Sequence, residues 1–293
     1  MKCKNVWQRI VGVLLMSVLA VGILSACSMG GQGAVADQPA DEPAAGASVA
    51  DAPVAGQLPE LVVTKNGDEL VVPESVPSGP IAFVNQTGGS ADINRLNDGV
   101  TPEQLQQQVA EDVEAAIEMI TMYGGPMVPG GDVVYDLQPG DYVVSTSDDE
   151  GNVTGLAFLQ AGDPSGATPP TADLSVDLVD FAFVMPAEIK SGPQTWQINN
   201  KGEQWHEMAI LKLADGATVD DVMAMIMSED EPSGPPPFEM VGGWTPMGAD
   251  QTVYTTMDLA PGDYTVLCFL PDLNSDFSPH LAHGMVASLT VTP

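Results

Sequence analysis

This chain has little cysteine, little imidazole and almost no positive charge. Of its 293 residues, 3 are cysteine, 3 are histidine and 8 are lysine or arginine, against 40 aspartates and glutamates. So few bases exclude nucleic acid and anionic lipid head groups as favoured partners, because phosphates need a basic surface. So few cysteines exclude a disulfide framework. Three histidines in all exclude chemistry that needs several histidine-rich centres in one chain. The apolar run from Ile10 to Leu24 is too short for a confident membrane span.

What is present begins with an address. Lys2, Lys4 and Arg9 form a positive segment, the apolar run follows, and Leu24-Ser25-Ala26-Cys27 ends it. That is the layout of a secretory signal. Its ending resembles the lipobox of bacterial lipoproteins. The resemblance implies a signal peptide over residues 1–26, cleavage before Cys27 and a lipid on the Cys27 sulfur. The protein is then expected outside the cytoplasm, held at the bacterial membrane by its N-terminal lipid anchor. Cleavage removes three bases and no acids, leaving 40 acids against 5 bases, a formal charge of −35. Such self-repulsion favours a soluble monomer and, as a partner, a cationic protein. Cys3 is lost and Cys27 is modified, so Cys268 is the one remaining thiol. Outside the cytoplasm a lone thiol oxidises unless it is buried or bound; an inert buried cysteine is the alternative.

Residues 27–57 are Ala, Gly, Pro, Asp and Glu with few large apolar side chains, and read as a disordered acidic tether. From Leu58 the chain runs twice through one plan. Pro80-Ile81-Ala82-Phe83-Val84-Asn85 answers to Pro193-Gln194-Thr195-Trp196-Gln197-Ile198-Asn199, and Leu137-Gln138-Pro139-Gly140-Asp141-Tyr142 to Leu259-Ala260-Pro261-Gly262-Asp263-Tyr264. Thr101 and Thr218 each stand as an N-cap before a helical segment, with Gln104 and Asp221 three residues on. The first helix is expected over 101–123, with Leu105, Val109, Val113, Ile117 and Ile120 inward and Gly124-Gly125 ending it. Short strand-like runs punctuated by turns predict an all-β protein of two tandem β-sandwich domains, each with a short helical insertion. The domains are expected at 58–162 and 173–293, with a Pro-rich linker at 163–172.

The chemistry gathers in the second half. Cys268, His280, His283 and Met285 crowd into one stretch near the C-terminus, and His206 lies upstream in Trp205-His206-Glu207-Met208. Soft sulfur with imidazole is a ligand set that suits copper. Asn199-Asn200-Lys201-Gly202 before Trp205-His206, with Cys268, Pro279-His280 and Gly284-Met285, resembles the ligand regions of cupredoxins, the blue-copper proteins. The resemblance covers about Asp173 to Pro293. It implies a Greek-key sandwich holding one type 1 copper, with His206, Cys268 and His280 as close ligands and Met285 as a weak axial one. One departure stands out: eleven residues separate Cys268 from His280, where small cupredoxins have only a few. Glu207 either accepts a hydrogen bond behind His206 or faces solvent. His283 is read as an exposed loop histidine, and Met223 and Met227 as helical core residues.

The first half lacks this set. Aligning the repeats puts Thr146 at the place of Cys268 and Leu156 at that of Met285, with His206 falling in a gap near Gly89-Ser90. The expected function is therefore transfer of single electrons through one mononuclear copper between redox partner proteins, not catalysis. Copper capture or delivery by the same residues is the second reading. A metal-free β-sandwich interaction protein is the third.

Overall fold

The computed structural model describes residues 58–293 except 129, 149–151, 229–233 and 276. The expected signal peptide, Cys27 and tether lie outside the described residues. The first half forms β1 (Glu60–Asn66), β2 (Glu69–Val71), β3 (Ser75–Asn85), β4 (Asp92–Leu96), α1 (Pro102–Glu111), α2 (Val113–Ala116), β5 (Ile120–Met122), β6 (Val133–Leu137), β7 (Gly140–Ser147) and β8 (Val153–Pro164). The second forms β9 (Leu174–Val179), β10 (Ala182–Val184), β11 (Glu188–Lys190), β12 (Gly192–Asn200), β13 (His206–Leu213), α3 (Val219–Met227), β14 (Phe238–Met247), β15 (Thr252–Leu259), β16 (Gly262–Leu267) and β17 (Val286–Thr292). The protein is thus all-β, with sandwiched sheets and short helices on their outer faces. β8 runs two residues past the boundary expected from sequence.

The repeat is visible in the pairing. In the first half β3 begins beside β8 and, past Gly79, passes to β6 and β1 in the facing layer. In the second half the same crossing is split: β11 lies beside β17, and β12 leaves at Gly192 for β9 and β15. Both crossings carry Ser-Gly-Pro, and both glycines have positive φ, 93° at Gly79 and 100° at Gly192. A side chain at either position would strain the switch between layers. Each half also closes with the same tyrosine device. The Tyr142 hydroxyl donates to the Gln138 carbonyl, and the Tyr264 hydroxyl to the Ala260 carbonyl, both at 2.8 Å.

Inward residues alternate along the strands, as a sandwich with one wet face requires. β13 departs from that rule because both its faces are covered. Met208 and Ile210 join the main core, while Ala209 and Leu211 face a second cluster with Val222 and Ile226 of α3. In the first half Leu105 of α1 covers Leu96 and Val143 in the same way. Both helices start on capping boxes, Thr101 with Gln104 and Thr218 with Asp221.

The expected first helix is shorter than the 101–123 read from sequence. α1 ends at Asp112, whose backbone is extended, and 120–122 is a strand paired with β4. Val113 is left exposed, and Gly124 follows a strand and not a helix. The near-helical apolar spacing failed here because two segments of different geometry contribute to it in turn. Met227 is also exposed, while Met223 packs against the cluster under α3.

The two halves share one sheet. β15 pairs antiparallel with β6, Val253 opposite Tyr135. Trp244 is fully buried at the junction; its indole N–H donates to the Tyr123 carbonyl at 2.9 Å, and its ring meets Tyr135 edge-on.

Candidate metal centre

Four segments deliver the sequence-predicted ligands to one end of the second sandwich. His206 opens β13, Cys268 follows the last residue of β16, and Met285 precedes β17. His280 begins a tight helical turn, His280–His283, that Gly284 ends in left-handed backbone. The side chains of His206, Cys268 and His280 converge there, their donor atoms within 4.8 Å of one another. His206 Nδ1 lies 3.1 Å from His280 Nδ1, and His280 Nδ1 lies 3.4 Å from the Cys268 sulfur. His206 and Cys268 are wholly shielded from solvent and His280 nearly so. Met285 is also fully buried, and its carbonyl accepts the Cys268 N–H.

The long Cys268–His280 interval does not separate its ends. Pro271 and Pro279 pair as a bridge, and the Asp272 N–H donates to the Ser278 carbonyl at 2.9 Å. The intervening residues are thereby set aside as a side loop. At its base the His280 N–H donates to Leu270 O at 2.7 Å and the Leu281 N–H to Cys268 O at 3.0 Å. The cysteine and histidine are held as they would be by a short loop.

His206 is held from the other side. Asp180, in the turn between β9 and β10, meets His206 Nε2 at 2.5 Å, which leaves Nδ1 turned to the cluster. The Asp180 carboxylate also accepts the Glu203 N–H. Burial raises its pKa somewhat, but these hydrogen bonds outweigh burial and hold it below the usual value. A Cβ at residue 202 would stand 2.5 Å from both Asp180 Oδ1 and His206 Nε2, so the pair requires Gly202. Asn200 fixes this loop: its amide donates to the carbonyls of Gln204 and Met247, and its oxygen accepts the Gly202 N–H.

Electrostatics leave the cluster neutral without a cation. Burial lowers the pKa of His206, and burial with the neighbouring His206 lowers that of His280 to about 4. Burial first, then the Glu207 charge, pushes the Cys268 thiol up. Two imidazoles with free lone pairs beside one thiol fit a borderline-soft cation, which would displace the thiol proton on entering.

The remaining candidates are placed otherwise. Glu207 neither serves His206 nor faces solvent. It points to the opposite face of β13, fully buried, and accepts the Phe269 N–H at 2.9 Å. Burial raises its pKa to about 8. His283 is exposed, bonded to Ser278 and stacked on Phe181 at 4.8 Å, and Phe181 in turn meets His280 edge-on at 4.8 Å. Asp180 and Phe181 were not singled out in the sequence, whereas Gly202 belongs to the Asn199-Asn200-Lys201-Gly202 stretch that was. No spacing rule links Asp180 to His206, 26 residues away.

The first half shows what stands at these places when the ligands are absent. Ile93 opposes Val144 as Ile210 opposes Val266, so Gly89 takes the place of His206. Thr146 takes that of Cys268, as expected. Leu156 opposes Ser145 as Val286 opposes Leu267, so the counterpart of Met285 is Gly155 and not Leu156. The one-residue difference from the sequence comparison arises because the connecting loops differ in length.

No family model and no curated protein matches the chain. Solved structures resemble it in part. Auracyanin B is 20% identical over 43% of this chain and 94% of its own, with a TM-score of 0.30. Auracyanin of Roseiflexus castenholzii is 20% identical over 41% and 95%, with a TM-score of 0.29. A copper-containing nitrite reductase of Thermus scotoductus is 9% identical over 81% of this chain and 62% of its own, with a TM-score of 0.23. Likeness at these scores carries no functional weight; the cluster's own geometry does.

Proposed function

We propose that this chain is a lipid-anchored extracytoplasmic copper protein that passes single electrons between partner proteins, one of them cationic. The observation that carries the reading is the convergence of two imidazole Nδ1 atoms and one thiol, all buried, with donor atoms 3.1 and 3.4 Å apart. His206, Cys268 and His280 would hold the ion, with Met285 as a weak fourth ligand from its buried place beside Cys268. Copper, when bound by such a set, supplies a one-electron couple with little ligand movement. Asp180 keeps His206 in the orientation that offers Nδ1. Phe181, whose ring meets His206 and His280, and Leu270 keep water from the cluster. Three histidines in the whole sequence favour one copper and a carrier, not an enzyme.

The test is the visible and EPR spectrum of the protein loaded with Cu(II) and then reduced. An intense blue or green band with narrow copper hyperfine splitting, lost reversibly on reduction, is expected. A colourless protein that binds only Cu(I) would favour copper delivery. Binding of neither ion would leave a sandwich whose cysteine is structural. Mass spectrometry of Cys27 checks the anchor; an unmodified thiol on a cleaved or uncleaved chain would remove it.

A further inference from the structure

A cavity of about 900 Å³ opens between the two halves. Its walls come from β3–β4 and β7 of the first half and from Trp205, Met240 and the Leu270–Pro271 corner of the second. It lies where the first half's loops are short: eight residues lie between Thr146 and Gly155, against sixteen between Cys268 and Met285. The volume suits a small organic molecule.

The lining has a definite chemistry. Phe83, Tyr135 and Trp205 bring aromatic surface, and Met127, Met240 and Leu270 bring apolar surface. Among the described residues its charged members are Asp92 and Asp148, and no lysine, arginine or histidine lines it. Asp148 is engaged by Asn152. The Asp92 carboxylate has no hydrogen-bond or ion-pair partner among the described residues, and its Oδ1 lies beside Gly125 near the Tyr135 hydroxyl. Burial without compensation raises its pKa to about 6. An unpaired carboxylate in an aromatic cavity of a strongly acidic protein lacks one thing, a cation with an apolar body.

We propose that this inter-half cavity binds a small organic ammonium ion, its charge on Asp92 and its apolar body against Phe83, Tyr135 and Trp205. The site is separate from the copper reading and stands or falls without it.

The probes are 2-phenylethylammonium and its neutral counterpart 2-phenylethanol, titrated calorimetrically into the full-length protein at pH 7.5, without and with copper. The ammonium is expected to bind about tenfold or more tightly than the alcohol, as one desolvated charge contact allows. Asp92→Asn should abolish that preference while leaving the weak binding of the alcohol. Equal affinity for the two probes, absence of ammonium binding, or an unchanged preference in Asp92→Asn would overturn the proposal. Quenching of Trp205 emission, lost in Trp205→Phe, provides a second readout. Calorimetric binding of the ammonium with Trp205 emission unaltered would place the ligand elsewhere and overturn it as well.

Discussion

The two halves of this chain build the same sandwich and use it differently. Each has a Ser-Gly-Pro crossing between layers, a capped helix over its outer face and a tyrosine that bonds four residues back. At the loop end they diverge. The second half places His206, Cys268, His280 and Met285 together, while the first has Gly89, Thr146 and Gly155 at three of those places. A scaffold that folds without the sulfur and imidazole shows that those side chains are not needed for the sandwich. Where the ligand loop is long, the second half buries a cluster; where it is short, the first half leaves a cavity wall.

The sharpest way to break the comparison is to make the second half like the first. Cys268→Thr copies Thr146 and is expected to abolish colour and stoichiometric copper binding while far-UV circular dichroism keeps its β signature. Copper content unchanged by atomic absorption would remove Cys268 from the ligand set. Next in size is the joint between the halves. Trp244→Ala empties a fully buried site and leaves the Tyr123 carbonyl without its donor, so a loss of roughly 3–5 kcal/mol is expected in denaturant unfolding. Two separate transitions in that variant would show that the halves fold independently.

The outer support of His206 is a smaller test. Asp180→Asn keeps the shape but removes the carboxylate that orients Nε2. Copper affinity is expected to fall about 10–100-fold, measured by competition with a chelator. An unchanged affinity would mean that packing alone orients the ring.

The smallest expected effect belongs to the first half. The pKa of Asp92 is raised from 3.8 to about 6, because burial disfavours its charged form. Folding therefore takes up a proton between those values. Stability is fullest below pH 3.8 as far as this group is concerned, and is lost as pH rises through about 6. Because the side chain is partly exposed, Asp92→Asn should stabilise the ligand-free protein by only about 1–2 kcal/mol at pH 7.5 and by nearly nothing at pH 4. Equal effects at both pH values would mean that the carboxylate is not held in an apolar wall.

Much of this was legible before the structure. Alternating strands, paired turns and the two threonine caps announce an all-β chain with two similar halves, because those signals depend on local backbone preferences. The residue types of the cluster were legible too, since thiol and imidazole are scarce here and stand together. Their convergence was not. The sequence offered an eleven-residue gap between Cys268 and His280, and only the Pro271–Pro279 bridge and the Leu270–His280 hydrogen bond turn it into a closed side loop.

The sequence by itself determined the acidic surface, the doubled plan and the scarcity of ligands, because each follows from composition or from local pattern. Tertiary structure alone decided that Asp180 reaches His206 across 26 residues, that Glu207 turns away beneath Phe269, and that β6 and β15 join the halves into one sheet. It also decided where Asp92 is left without a partner. These are contacts between residues distant in the chain, and no spacing rule encodes them; they arise when layers pack and each buried polar group finds, or fails to find, its complement.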